Sequence, residues 1–281
     1  MTSVESIGSA LAACRGRIER VDARILLAEV LGRPASYLVA YPEAPLTAEQ
    51  QHRFVDWVAR REQGEPVAYL VGSREFYGRR FEVSPAVLIP RPETEGLVEL
   101  AKDAFPTAPR AVLDLGTGSG AIAITLALLW PDTEVMAVDR SAEALAVATR
   151  NAHQLGARVR FAQSDWFSAV PAAMRFDLIV SNPPYVAAGD PHLAEGDVRF
   201  EPASALAAGP DGLDDIRCIA AEAVRRLAPD ACLLIEHGYD QAEAVSAILR
   251  RSGLQRVQSW PDLAGIPRVT GGWLDASADE A

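Results

Sequence analysis

From Ala111 onward, short apolar runs alternate with stretches of helical pattern, and this alternation constrains the fold more than any other feature. Helices between most of the runs predict crossover connections, and hence a doubly wound α/β sheet with parallel strands. A loop containing Pro and Gly separates the last two runs, which predicts an antiparallel pair at one edge. The predicted strands are Ala111–Leu115, Glu134–Val138, Arg158–Ala162, Phe176–Ser181, Ala231–Glu236, Leu254–Ser259 and Val269–Leu274.

The first 70 residues have helical patterns instead. Asp22 is expected to cap a helix over Ala23–Leu31, and Thr47–Gln50 matches a capping box that starts another. The segment 75–83 has the pattern of a two-stranded hairpin that turns at Gly78. The sequence therefore predicts a helical part, a hairpin and an α/β part in that order.

Composition limits the classes of function. The chain has 281 residues, with 27 Lys and Arg against 38 Asp and Glu, and the acidic excess lies after residue 90. Such an acidic part argues against duplex DNA as the substrate, because binding to nucleic acid neutralises phosphates with basic side chains. Three scattered cysteines and four scattered histidines lead us to expect a cytoplasmic protein without a metal site. We also expect no secretory signal in Met1–Cys14 and no membrane span.

A glycine-rich turn follows the first strand of the predicted sheet. Gly116, Gly118 and Gly120 allow the backbone to approach a ligand, and Asp139 ends the next strand where a carboxylate can bind ribose hydroxyls. The same pattern also fits a dinucleotide, although the lack of a following lysine excludes a P-loop. Asp114 before the turn suits a ligand that carries an ammonium and a sulfonium. With the acid and flat ring of Asp165 and Trp166 after the third strand, it favours S-adenosylmethionine.

The segment Asn182-Pro183-Pro184-Tyr185 follows the apolar run Phe176–Val180 directly. An amide nitrogen is a poor nucleophile, so its NH2 group must be oriented by two acceptors. The Asn182 side-chain oxygen and the Pro183 carbonyl can accept its two hydrogens. Pro184 stiffens the turn, and Tyr185 supplies a flat face for the acceptor group. This set indicates methyl transfer to a carboxamide or to the exocyclic amine of a base.

Several longer motifs resemble those of the release factor glutamine methyltransferases. Nearly the whole chain takes part, and the most specific pair is Ile89-Pro90-Arg91-Pro92-Glu93-Thr94-Glu95 together with Asn182–Tyr185. The resemblance implies a seven-stranded class I S-adenosylmethionine-dependent methyltransferase domain, with an N-terminal helical bundle joined to it by a β-hairpin. The domains that it implies are a helical substrate-docking domain (1–73), a hairpin linker (74–89) and a methyltransferase domain (90–281).

The resemblance further implies methylation of the glutamine in the Gly-Gly-Gln loop of class I peptide chain release factors. By carry-over, the cofactor-binding residues are Gly116, Thr117, Gly118, Ser119, Gly120, Asp139, Trp166 and Asn182. Asn182, Pro183, Pro184 and Tyr185 are expected to hold the glutamine, with Asn182, Pro183 and Tyr185 as the catalytic set. Pro210 stands where a glycine-rich stretch is expected, which leaves the shape of that loop open.

Three alternatives remain open at the level of sequence. A glutamine methyltransferase of a ribosomal protein would share the fold and the motif. An adenine-N6 nucleic-acid methyltransferase would also use Asn-Pro-Pro-Tyr, for a flipped base, but the chain lacks a basic recognition region. A vestigial nucleotide-binding adaptor would not need an amide-orienting pocket.

Overall fold

The structure, a computed structural model, describes residues 5–275 and divides into two compact units. One unit comprises the chain up to Ser73 together with Glu195–Phe200. The other comprises Arg74–Ala194 and the chain from Glu201 onward. No helix in the described part of the chain is long and apolar enough to span a bilayer.

The first unit contains five α-helices within its described residues. They are α1 (Ile7–Ala13), α2 (Arg20–Leu31), α3 (Ala35–Ala40), α4 (Ala48–Glu62) and α5 (Val67–Val71). The predicted capping box at α4 is confirmed, because Thr47 Oγ1 accepts from Gln50 N at 3.2 Å and Gln50 Oε1 accepts from Thr47 N at 2.9 Å. The hydrophobic core that these helices share includes Leu26, Leu27, Phe54 and Val58.

The predicted cap by Asp22 is wrong. Helix α2 begins at Arg20, and Glu19 at its N-cap position makes no side-chain cap. Asp22 lies in the first turn and accepts a hydrogen bond from Arg61 Nε of α4 at 2.7 Å. A largely buried ion pair with α4 has therefore replaced the local capping interaction that the sequence offered.

The second unit begins with the hairpin strands β1 (Ser73–Phe76) and β2 (Arg79–Glu82). Tyr77 and Gly78 form the turn with positive φ angles of 52° and 69°, as the two central residues of a type I′ turn require. The hairpin predicted around Gly78 is confirmed. Phe76 and Phe81 are fully buried in the core that also contains the sheet.

The predicted seven-stranded sheet is also confirmed. Its strands are β3 (Ala111–Leu115), β4 (Glu134–Asp139), β5 (Arg160–Gln163), β6 (Phe176–Ser181), β7 (Leu227–Glu236), β8 (Gln255–Pro261) and β9 (Pro267–Trp273). Their order is β5-β4-β3-β6-β7-β9-β8. Strand β9 runs antiparallel to both of its neighbours, which confirms the antiparallel pair at one edge.

Helices cover both faces of the sheet. They are α6 (Glu95–Ala104), α7 (Ala121–Leu129), α8 (Ala142–Leu155), α9 (Asp214–Ala223) and α10 (Ala242–Arg251). Along β7, Cys232 and Leu234 join the cluster that contains α6 and α7, whereas Leu233 and Ile235 join the cluster that contains α9 and α10. Because both faces of β7 are buried from Ala231 to Ile235, that part of its sequence is a continuous apolar run instead of an alternating one. Contrary to the simple alternation, β5 and β6 are joined by a loop without an α-helix.

Strand β3 is the first strand of the sheet in chain order. The next strand, β4, lies on one side of it, and β6 lies on the other side. The loops that leave β3 and β6 therefore diverge and open a crevice at the carboxyl ends of these strands. The glycine turn follows β3 and Asn182 follows β6, so this crevice is where the sequence-predicted residues meet.

Candidate active site

A cavity of about 260 Å³ lies at the carboxyl ends of β3, β4, β5 and β6. Of the residues predicted from the sequence, Gly116, Thr117, Gly118, Ser119, Asp139, Trp166, Asn182 and Pro184 line it. Gly120, Pro183 and Tyr185 are absent from the lining. Residues separated by up to 68 positions in the chain are thus brought to one cavity by the register of four parallel strands.

The glycine turn brings the backbone close to the cavity. Gly116 has φ +72°, and a Cβ on it would stand 3.3 Å from Cζ3 of Trp166. A side chain at this position would therefore be strained and crowded against the indole. Gly120, with φ +83°, has a packing role instead, because a Cβ there would lie 2.7 Å from Cδ1 of Ile124 and 3.2 Å from Cβ of Ala148. Its lack of a side chain permits close packing around the start of α7.

Asp139 is fixed at the end of β4 by two backbone amides. Its Oδ2 accepts from Gly118 N and its Oδ1 accepts from Ser141 N, both at 2.9 Å. Each carboxylate oxygen has a further lone pair, so both can still accept a hydrogen bond from a ligand. A carboxylate held in this way is suited to two neighbouring hydroxyl groups.

Asp114 is a fully buried acid next to the turn. Its Oδ2 accepts from Thr117 Oγ1 at 2.7 Å and from Ala123 N at 3.2 Å, while its Oδ1 has no partner in the described structure. Burial raises the pKa of Asp114 to about 7, although the hydrogen bonds from Thr117 and Ala123 act in the opposite direction. A buried carboxylate oxygen without a partner is costly unless a ligand or water completes it.

Trp166 forms one wall of the cavity. It has φ 47°, and its Nε1 donates to Asp215 Oδ1 of α9 at 3.3 Å. Neighbouring Asp165 also lines the cavity, with an exposed side chain. The side chain of Trp166 packs against the core cluster beneath it, so it has both a packing role and a surface in the cavity.

Asn182 faces Thr94 across the cavity wall. Its Nδ2 donates to Thr94 Oγ1 at 3.1 Å, and both residues line the cavity. Thr94 ends the short 3₁₀ helix Pro92–Thr94, which leads into α6. Pro183 and Pro184 are buried, so the backbone after Asn182 is held by packing as well as by its proline rings.

The backbone of Tyr185 is fixed by a separate set of contacts. Its carbonyl accepts from Gln241 Nε2 at 2.9 Å, and Gly212 packs so closely that a Cβ there would lie 2.2 Å from the same oxygen. Burial raises the pKa of the Tyr185 hydroxyl to about 12, so it stays protonated at neutral pH. The glycine at 212 thus gives the loop around Pro210 a defined path against Tyr185.

Two arginines fix the segment that covers part of the cavity. Arg91 Nη2 donates to both oxygens of buried Glu201, at 2.9 and 2.8 Å, and Arg140 Nη2 donates to the Ser204 carbonyl at 2.9 Å. Pro202 and Ser204 line the cavity. Glu201, Gln241 and Gly212 were not assigned a role from the sequence, because the partners described here lie between 27 and 110 residues away.

The donor set of this cavity fits S-adenosylmethionine. Asp139 suits ribose hydroxyls, the glycine turn accommodates a ligand where a Cβ would clash, and Trp166 offers a flat surface for a base. The unpaired Oδ1 of Asp114 adds an acidic acceptor beside the turn that carries these groups. No group of three His, Cys, Asp or Glu side chains within residues 5–275 is arranged to hold a metal ion.

Comparison with known families matches both parts of the chain. The description "PrmC N-terminal domain" matches residues 4–72, and "Methyltransferase small domain" matches residues 94–203. A Bordetella pertussis protein named release factor glutamine methyltransferase is 52% identical over 259 residues, covering 92% of this chain and 96% of the relative. A Salmonella typhimurium protein of the same name is 53% identical over 254 residues, covering 90% and 91%.

Solved structures of low sequence identity share the fold. A methyltransferase from Pyrococcus furiosus has a TM-score of 0.54 at 18% identity, covering 82% of this chain and 100% of that one. The T. thermophilus 16S rRNA N2 G1207 methyltransferase, solved with AdoMet and guanosine, also has a TM-score of 0.54, at 21% identity over 72% of this chain and 49% of that one. The sheet therefore has the class I methyltransferase fold.

Proposed function

Since the chain belongs to the release factor glutamine methyltransferase family, we propose that it methylates peptide chain release factors. The reaction transfers a methyl group from S-adenosylmethionine to the side-chain amide nitrogen (N5) of the glutamine in the Gly-Gly-Gln motif. One observation carries this proposal from within the structure: Asn182 lines the same cavity as the glycine turn and Asp139. An amide-orienting group and a nucleoside-binding set thus share one space. The enzyme would act in the cytoplasm, in translation termination.

On the cofactor side, Asp139 would accept hydrogen bonds from the two ribose hydroxyls. The backbone of Gly116, Thr117, Gly118 and Ser119 would surround the methionine part, and Trp166 would contact the adenine. When bound, S-adenosylmethionine supplies an electrophilic methyl group on its sulfonium. Gly120 contributes through the packing of α7 instead of by contact, since it does not line the cavity.

On the substrate side, Asn182 Oδ1 and the Pro183 carbonyl accept the two N–H groups of the glutamine amide. Pro184 limits the motion of this turn, and Tyr185 packs against the flat amide. Holding the nitrogen along the line of transfer provides the proximity and orientation that such a weak nucleophile requires. The glutamine nitrogen would take the methyl group that S-adenosylmethionine supplies, with S-adenosylhomocysteine as the other product, and one N–H proton would leave to solvent.

The first unit is proposed to hold the body of the release factor. Val21 and Ile25 lie one turn apart on α2 and are 62% and 44% exposed, which is unusual for two neighbouring apolar side chains. Replacing both with serine is expected to raise KM for whole release factor and to leave KM for a short Gly-Gly-Gln peptide unchanged. Equal effects on the two substrates would contradict docking by this unit.

The proposed activity can be tested with labelled S-adenosylmethionine and three candidate substrates. Label at the Gly-Gly-Gln glutamine of a release factor, located by mass spectrometry, is the expected result. Label in a ribosomal protein or in nucleic acid instead would indicate one of the alternative methyltransferases. Label in none of them would contradict a methyltransferase acting on these substrates.

A further inference from the structure

Glu236 is a buried acid at the carboxyl end of β7, directly beside the amide-orienting turn. Ser181 of β6 pairs with Ile235 of β7, so Glu236 follows at the position next to Asn182. Its exposed fraction is 2%, and its Oε2 has no hydrogen-bond partner among the described residues. Burial raises the pKa of Glu236 to about 7, and hydrogen bonding from the side chains of Thr94 and Asn182 acts in the opposite direction.

The burial of this acid has no explanation in the stability of the sheet. The preceding residues Ala231–Ile235 are apolar and almost fully buried, and an apolar residue would continue that pattern without cost. A buried carboxylate with one oxygen unpaired is unfavourable by comparison. The buried position of Glu236 therefore indicates a functional role in the adjacent site.

The direction of the hydrogen bonds indicates that role. Above a pH of about 7 the Glu236 carboxyl is mainly ionised and can only accept, so the Thr94 hydroxyl then donates its single proton to Glu236. The Thr94 oxygen then presents lone pairs to Asn182, whose Nδ2 donates to it at 3.1 Å. Because Thr94 has no second proton to offer, the opposite orientation of the Asn182 amide would place two acceptors against each other. The nitrogen of Asn182 is thereby held towards Thr94 and Glu236, which leaves Oδ1 free for a ligand.

We propose that Glu236 is a positioning residue that acts on Asn182 both directly and through Thr94, and holds the Asn182 amide with its oxygen available to the substrate NH2 group. The inference rests on the proposed methylation of glutamine, and it extends the site to a residue that does not line the cavity. Arg268 and Glu93 are the other charged groups that influence Glu236, and neither replaces Thr94 as its hydrogen-bond donor.

The test compares three variants in the full-length enzyme. Thr94→Val keeps the shape of the side chain and removes the hydroxyl, Thr94→Ser keeps the hydroxyl, and Glu236→Gln keeps the shape but adds a donor. We expect Thr94→Val and Glu236→Gln each to lower kcat on a Gly-Gly-Gln peptide about tenfold or more, equivalent to about 1.4 kcal/mol. Thr94→Ser is expected to recover most of that loss. The Thr94→Val/Glu236→Gln double variant should be no slower than the slower single variant, because both changes disrupt the same hydrogen-bonded cluster around Asn182.

Two measurements separate positioning from a general structural role. The Kd for S-adenosylhomocysteine, measured by calorimetry, should change less than about threefold in each variant, well below the effect on kcat. The melting temperature of Glu236→Gln should equal or exceed that of the wild type, because a buried charge is removed. A slower but not less stable enzyme is thus the expected result.

Several outcomes would overturn the inference. Unchanged kcat in Thr94→Val or in Glu236→Gln would do so, as would strictly multiplicative losses in the double variant. A loss of kcat matched by equal losses of stability and cofactor affinity would assign these residues to packing. If the wild-type enzyme methylates no glutamine, the proposed function fails and this inference fails with it. An active wild type with unaffected variants contradicts the inference alone.

Discussion

At the scale of single residues, the site depends on positions where one atom more would cause a clash. Gly116 and Gly212 both have positive φ angles and both lie against fixed atoms, the Trp166 ring and the Tyr185 carbonyl respectively. Such glycines can be recognised in the sequence as turn residues. What they approach is decided by residues 27 to 50 positions away, so the sequence alone did not reveal it.

Replacing Gly116 with alanine is expected to lower the affinity for S-adenosylhomocysteine about tenfold or more. The added Cβ would stand 3.3 Å from the Trp166 ring, so the ring must move by a few tenths of an ångström in the wall of the space proposed for the cofactor. Gly156→Ala is a matched control, because Gly156 has φ +71° but no atom within 4 Å of an added Cβ. Alanine is strained at a positive φ angle, so this strain should lower the free energy of unfolding of both variants by a similar amount, about 1 kcal/mol. Equal Kd values by calorimetry would exclude the proposed role of Gly116.

Replacing Asn182 with alanine is expected to lower kcat about 10- to 100-fold. The change removes an acceptor and leaves a substrate N–H group unpaired, a loss of about 1–3 kcal/mol. The rate is measured with the Gly-Gly-Gln peptide at saturating cofactor. A variant that retains full kcat would show that Asn182 does not orient the amide.

At the scale of elements, a single buried side chain joins the hairpin to the glycine turn. Asn151 on α8 is fully buried; its Oδ1 accepts from Glu82 N at 2.7 Å, and its Nδ2 donates to the carbonyls of Glu82 and Ser119 at 3.0 and 2.9 Å. The hairpin and the helix were each predictable from local pattern. The link between them was not, since an asparagine in the middle of a helix has no local signature of such a role.

Replacing Asn151 with leucine is expected to lower the free energy of unfolding by about 2–4 kcal/mol. Three backbone polar groups lose their partner at once, although some will find water. Arg150→Ala provides the control on the same helix. Arg150 pairs with the carboxylate of Glu82 at the surface, and its loss should cost less than about 1 kcal/mol. Chemical denaturation measures both, and similar losses would contradict the role assigned to Asn151.

At the scale of the whole molecule, the buried acids are expected to control the dependence of stability on pH. Burial raises the pKa values of Asp114 and Glu236 to about 7 from 3.8 and 4.5. A raised pKa in the folded state stabilises the fold below the unfolded-state pKa, and this stabilisation is lost as the pH rises through the folded-state value. His237 acts in the opposite direction, because burial lowers its pKa.

Comparison of the wild type with Asp114→Asn isolates one of these contributions. Asparagine imitates the protonated acid at every pH, so the variant should become more stable relative to the wild type as the pH rises from about 4 to about 7. The relative gain should reach up to roughly 4 kcal/mol and stay constant above that range. Denaturation curves of the ligand-free proteins between pH 4 and 8.5 measure it. A stability difference that does not vary with pH would contradict the raised pKa of Asp114.

The sequence by itself determined the elements of this protein and the positions of its main motifs. Apolar runs of strand length, the glycines after β3 and the prolines after β6 are local signals, because they act through the backbone of their own segment. The pattern therefore predicted the seven strands, the antiparallel edge and the hairpin, and it placed the two motifs at strand ends.

Only the tertiary structure decided which of these residues share one cavity and which other residues support them. Thr94, Asn151, Glu201 and Glu236 acquire their roles from partners far along the chain. Competition between a tertiary partner and a local one also explains why Asp22 pairs with Arg61 instead of capping its helix. Burial makes a well-placed ionic or hydrogen-bonding partner worth more than a local one in water, and burial is a property of the folded chain.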